Sequence, residues 1–198
     1  PEQVFNLKAF WRYCVQCGIA ARTIGKHSNT ASHHVFFTLG LLHEIGHAAL
    51  FLKAPGRSLQ ALELSQLYDR DIAEVEREKL GFDYCQAGAE LMQGWHLPPV
   101  YQQVAAFHLE PEKAEEEYQP AVGVIHLAHA LCQDSNEGKH KHLVANCIEQ
   151  NPLFKKLPTN IDEMVFEEIE ANTDSVLGLL WPRCVQGLSS QQAGVSNA

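Results

Sequence analysis

The sequence predicts an all-α protein, a bundle of packed helices, and three observations carry that expectation. Apolar residues recur at helical spacing almost throughout. No stretch alternates apolar and polar side chains long enough to make a strand. Capping residues, glycines and prolines punctuate the chain at helix-length intervals.

A first helix is expected from about Val4 to Ile24, with Phe10, Cys14, Cys17 and Ala21 on one stripe and Gly25 as the residue that ends it. A loop from His27 to Thr30 follows. A second, central helix starts near Ser32, turns Phe36, Leu39, Leu42 and Ile45 inward, and stops before Pro55-Gly56. Shorter helices are expected from Ser58 to Leu67 and from Ile72 to Leu80, the latter closed by Gly81. Asp83 and Gln86 form a capping-box pattern for a helix reaching Gly94. The run Trp95 to Pro99 breaks that helix and opens the next, because proline is tolerated only in a first turn. A further apolar helix follows Pro120 through Val124, Leu127 and Leu131. Asn136 to Gly138 marks a turn, and Asn160 with Glu163 caps a last amphipathic helix ending near Trp181-Pro182. The expected organisation is a helical core over 1–133, a C-terminal helical extension packed on it over 134–187, and a disordered Ser/Gln/Gly-rich tail over 188–198.

At 198 residues, 45% hydrophobic and 20% charged, the chain can bury a core without a disulfide framework. Its six cysteines therefore read as reduced thiols of a cytoplasmic protein. No basic segment leads into an apolar run at the N-terminus, and no run of about 18 apolar residues occurs, so no membrane association is expected. A net charge of -9 works against nucleic acid or anionic lipid as partners. The basic cluster Lys139, His140, Lys141 and His142 is short and reads as a solvated helix start.

Two short motifs suggest chemistry. His43-Glu44-Ile45-Gly46-His47 is an H-E-x-x-H, which in zinc proteases puts two histidine ligands on one helix face and a glutamate beside the metal-bound water. The extended protease pattern needs glycine and histidine where Leu50 and Lys53 stand, and nothing selects a third ligand among Glu63, Glu74, Glu76 and Glu78. Cys14-Val-Gln-Cys17 is a C-x-x-C without a second pair or a βαβ context, and its spacing suits two buried thiols on one apolar helix face.

A third pattern is spread along the chain. Gly40-Leu-Leu-His43-Glu44-Ile-Gly46 resembles the G-L-L-H-D-I-G block of the HD superfamily, whose His-Asp doublet binds a metal used to hydrolyse phosphate esters. Phe10-Trp11-Arg12, Glu76 through Leu80-Gly81-Phe82-Asp83, Gly94-Trp95-His-Leu97-Pro98, Ala106-Phe107-His108 and Val124 to Ala130 follow in family order. From about Phe10 to Gln133 the chain is most similar to the HDOD (HD-related output domain) branch, where "E…LGFD" and "W-LP" recur. HDOD domains carry several helices before the "FWR" segment, whereas about nine residues precede it here, so those helices are missing or lie upstream.

Aligned by that resemblance, the metal set has decayed. Tyr13 stands at the first-helix histidine, Glu44 at the aspartate of the doublet, Tyr84 at the histidine after "LGFD", and His129 at the terminal aspartate. His43 and His108 keep the family's residue type. A phenol titrating near about 10 is a poor ligand at neutral pH, and exchanging carboxylate for imidazole removes charge that a hard ion relies on. Tyr13 and Tyr84 read as packing residues that close the old cavity. His43, His47, His108, His126 and His129 read first as buried histidines with hydrogen-bond partners.

The resemblance implies a non-enzymatic output domain of bacterial signalling with no catalytic residue, no metal and no cofactor. Its partners are expected to be signalling proteins, an attached receiver-type domain, or a small ligand in the vestigial cleft. A homodimer is a further expectation, since helices lost from the N-terminal side would leave apolar surface of the first two helices uncovered. A metal-dependent HD-type phosphohydrolase of a nucleotide or cyclic dinucleotide is the alternative, and the H-E-x-x-H protease the second.

Overall fold

A computed structural model describes residues 5–28, 33–133, 147, 154 and 157–180. These are mostly helical, and no strand occurs among the described residues. α1 spans Leu7–His27, with the Asn6 side chain accepting the Ala9 N–H at its N-terminus. The expected start at Val4 is corrected by that cap, and the expected stop at Gly25 fails because Gly25 lies inside the helix. A Cβ at Gly25 would sit 2.3 Å from the Phe36 ring, so this glycine serves helix packing rather than termination.

The single central helix expected from near Ser32 to before Pro55 is two: α2, His33–Leu42, and α3, Ile45–Lys53. His43 and Glu44 lie in the turn between them. The His43 ring donates from Nδ1 to the Gly40 carbonyl at 2.7 Å, the oxygen that an unbroken helix would offer to the Glu44 N–H. Glu44 accordingly takes φ −105°, ψ 17°, between the helical and extended regions. α4, Pro55–Tyr68, begins at the proline rather than at Ser58, since proline suits a first helical turn as well as it stops a preceding one.

α5, Ile72–Leu80, ends at Gly81 with φ 87°, and α6, Tyr84–Gly94, starts on the Asp83–Gln86 capping box, both as expected. His96 at φ 56° turns the chain into α7, Pro99–Phe107. A 3-10 turn at Pro111–Lys113 leads to α8, Gln119–Gln133, and α9 covers Ile161–Leu180. The expected turn at 136–138, the basic cluster at 139–142, the end of the last helix near Trp181-Pro182 and the tail over 188–198 lie outside the described residues.

α1 runs through the middle, packed on α2, α8 and α9. Ala20, Ile24, Leu39, Leu127 and Val165 belong to the main core between these helices. A second cluster, with Phe10, Ile45, Met92 and Ala105, joins α1 to α3, α6 and α7. Close approach requires glycine at Gly46, where a Cβ would fall 1.9 Å from the Tyr84 carbonyl oxygen and push α3 off α6. His33–Lys53 has the length and hydropathy of a membrane span, but half of it is buried in the fold and the helix breaks at His43. Large exposed apolar side chains include Leu7 on α1, Val35 on α2, Leu52 on α3, and Leu67 and Tyr68 on α4.

Candidate functional site

The six positions that the resemblance aligns with the HD metal set meet between α1, the α2–α3 turn, α6, α7 and α8. The break after α2 presents His43 and Glu44, the C-terminus of α7 presents His108, and α8 presents His129. One donor atom from each of these four lies within 4.8 Å of each of the others. Tyr13 reaches in from α1 and Tyr84 from the first position of α6.

Backbone carbonyls set the imidazole orientations. His43 donates from Nδ1 to Gly40, and His108 donates from Nδ1 to the carbonyls of Val104 and Ala105, at 3.2 Å each. Both rings therefore turn an unprotonated Nε2 toward the cluster. His126, one helical turn before His129, donates from Nδ1 to the His108 carbonyl at 2.7 Å and ties α8 to the end of α7.

At the centre, Nδ1 of His129 faces three groups at once: the Tyr13 hydroxyl at 2.9 Å, Nε2 of His43 at 3.2 Å and Oε1 of Glu44 at 3.5 Å. One ring nitrogen carries at most one proton, so it cannot serve all three as a donor. The Tyr84 hydroxyl lies 3.3 Å from Nε2 of His108 and donates to it. Tyr84 is itself held at both ends, because Glu76, 1% exposed, accepts its N–H at 2.7 Å and Asp83 caps its helix while pairing with Arg77.

Burial dominates the electrostatics. It lowers the His43 imidazole, against the pull of Glu44 and the bond to Gly40. His108 and His129 are driven well below the ordinary histidine value, first by burial and then by their histidine neighbours. Burial, reinforced by Glu44, also raises the Tyr13 and Tyr84 phenols, so both stay protonated. The His129–Glu44 contact is therefore one between a neutral imidazole and a carboxyl group, not an ion pair. Glu44, 7% exposed, finds no charged partner in the cluster.

His47 does not join the cluster. Its ring stacks on Tyr84 with centroids 3.7 Å apart, and its Nδ1 lies 3.6 Å from Oε1 of Glu76. The helix break thus separates the two histidines of the H-E-x-x-H. Cys14 and Cys17 are fully buried free thiols on α1. Glu76 and His126 were not distinguishable in the sequence as supports of the site. The spacing of His126 and His129 on one helix was the available signal for the latter.

A two-ion hydrolase centre of the HD kind does not fit these residues, because the phenols of Tyr13 and Tyr84 occupy two of its histidine positions. Four donors within 4.8 Å of one another do fit a single ion. Access is limited: His43 and His108 are 0% exposed, Tyr84 2% and His129 5%. A cleft of about 630 Å³ lies elsewhere, between α1, the start of α2 and α9, lined among others by Arg22, Lys26, His33, His34 and Glu167.

A model of the HDOD domain matches residues 1–111. No curated protein matches the chain. Solved structures similar to it include an HDOD domain protein of unknown function from Geobacter sulfurreducens (TM-score 0.70, 16% identity), covering 86% of this chain and 63% of that one. A protein described as a putative phosphohydrolase, from Shewanella amazonensis, gives a TM-score of 0.68 at 23% identity over 84% of this chain and 63% of that one. The MmoQ response regulator of Methylococcus capsulatus gives 0.61 at 17% identity over 82% and 62%. The chain thus spans less than two thirds of the length of these structures, and likeness at these identities concerns the fold.

Proposed function

The chain belongs to the HDOD domain family, and from that premise we propose that it is a non-catalytic regulatory module of bacterial cytoplasmic signalling. The observation that carries the reading is the closure of the cluster by Tyr13 and Tyr84. A phosphoester substrate needs an open coordination position, an activated water and room for the ester beside them. Here phenol hydroxyls that burial keeps protonated stand beside His129 and His108, and two of the three imidazoles are fully enclosed. A closed site also disfavours a small ligand in the vestigial cleft, so contact with signalling proteins or an attached receiver-type domain is the mode of action proposed.

The hydrolase reading keeps one supporting observation, the convergence of His43, Glu44, His108 and His129. These four would hold the metal, which when bound supplies Lewis-acid activation of water. The protease reading receives no such support, because His47 faces Glu76 and Tyr84. Reversion tests the proposal. The fourfold variant Tyr13→His, Glu44→Asp, Tyr84→His and His129→Asp is expected to gain metal-dependent turnover of a phosphodiester. Single reversions are expected to gain none, because ligands act as a unit. A single reversion that opens full activity would show that the remaining site was already competent.

A further inference from the structure

Enclosure excludes a substrate more readily than it excludes a small ion, and the donors at this site are oriented before any ion arrives. The Nδ1–H bonds of His43 and His108 to backbone carbonyls fix the tautomer that a metal requires, with both Nε2 lone pairs directed inward. At metal–nitrogen distances of about 2.05 Å, donors at the corners of a tetrahedron lie about 3.3 Å apart. Two of the ligand separations here are 3.2 Å, between His43 Nε2 and His129 Nδ1, and 3.5 Å, between His129 Nδ1 and Glu44 Oε1. The wider gaps, up to 4.8 Å, require the donors to draw inward on binding.

From this geometry we propose that His43, Glu44, His108 and His129 bind one divalent first-row transition ion of the zinc or iron(II) class, a fastener between the α2–α3 turn, α7 and α8. The inference rests on the closed-site reading above and assigns the ion no hydrolytic role. Three imidazoles and one carboxylate suit a borderline ion better than magnesium or calcium, which favour oxygen donors. The ion supplies the positive charge that buried Glu44 otherwise lacks, and it relieves the competition of three groups for one His129 nitrogen. On binding, the ion takes the His108 Nε2 lone pair that otherwise accepts from Tyr84 and the His129 Nδ1 that otherwise pairs with Tyr13, and the two protonated phenols then cap the site instead of ligating. The replacements that dismantle a two-ion centre, above all His129 at the position of an aspartate, are the ones that complete this set.

The test uses the whole chain, stripped with chelator and reloaded with Zn²⁺ or Mg²⁺. Metal content is read by mass spectrometry and stability by thermal melting. One zinc per chain is expected, with a rise in Tm of about 5 °C that excess Mg²⁺ neither reproduces nor abolishes. His129→Gln and Glu44→Gln are expected to weaken zinc binding at least about tenfold. If either variant fails to fold, the ligand-field spectrum of Co²⁺ in the unmodified chain, displaced by one equivalent of Zn²⁺, replaces that arm. Sub-stoichiometric loading, two ions per chain, displacement by Mg²⁺, or unchanged binding in both folded variants would each overturn the inference. Hydrolysis by a one-ion protein would overturn the non-catalytic reading and leave the stoichiometry standing. No ion together with no turnover would overturn this inference and leave that reading standing.

Discussion

The Tyr13 hydroxyl lies 2.9 Å from Nδ1 of His129, a contact that joins α1 to α8 across 116 residues of sequence. Both side chains depart from the residue types that the HD pattern places at their positions. Their contact joins these two departures from the pattern in a hydrogen bond that closes the site.

Removing that hydroxyl isolates its contribution. Tyr13→Phe keeps the ring and should cost about 1 kcal/mol in urea unfolding, the usual net worth of one partly buried hydrogen bond. No change in the midpoint would show that the phenol has no structural partner in solution.

Gly46→Ala should cost more, about 2–3 kcal/mol, because the new methyl would lie 1.9 Å from the Tyr84 carbonyl and α3 would have to retreat from α6. Gly56→Ala meets nothing within 4 Å and should be neutral or stabilising by up to about 1 kcal/mol. Equal effects at the two glycines, measured by chemical denaturation, would contradict the close α3–α6 contact.

Such contacts mark where the sequence was legible and where it was not. The order of the blocks around His43, Tyr84, His108 and His129 was enough to anticipate that these residues converge, and Asp83 with Gln86 announced the helix that carries Tyr84. The break at His43 was hidden. It arises from a side-chain bond to the Gly40 carbonyl, and apolar periodicity continues unchanged through Ile45 and Ala48. Gly25 misled for a related reason, since a glycine demanded by the Phe36 ring looks the same in sequence as one that ends a helix. The closure depends on burial contributed by several helices together, which no local pattern records.

Acid should destabilise the chelator-treated protein. Burial holds His43, His108 and His129 below their unfolded value of about 6.5, so the unfolded chain binds protons that the folded chain refuses. Their stabilising contribution is present above about pH 6.5 and is lost below it, at up to about 1.4 kcal/mol per pH unit for each histidine. In a histidine NMR titration these three rings should stay neutral through the range where exposed ones protonate. Three ordinary titrations would contradict the enclosure.

His47→Ala should leave metal content unchanged, because His47 stacks on Tyr84 outside the four-residue cluster. It should cost about 1 kcal/mol of stability through the lost stacking. Loss of one bound zinc on this substitution would restore the protease reading of the H-E-x-x-H.

The central claim, regulation without catalysis, is tested most directly by turnover of the unmodified protein on phosphodiesters, nucleotides and cyclic dinucleotides with added manganese or iron(II). The account predicts no hydrolysis above the metal-only background, and the same background for His43→Ala. Metal-stimulated turnover by the unmodified chain, abolished by His43→Ala, would contradict it.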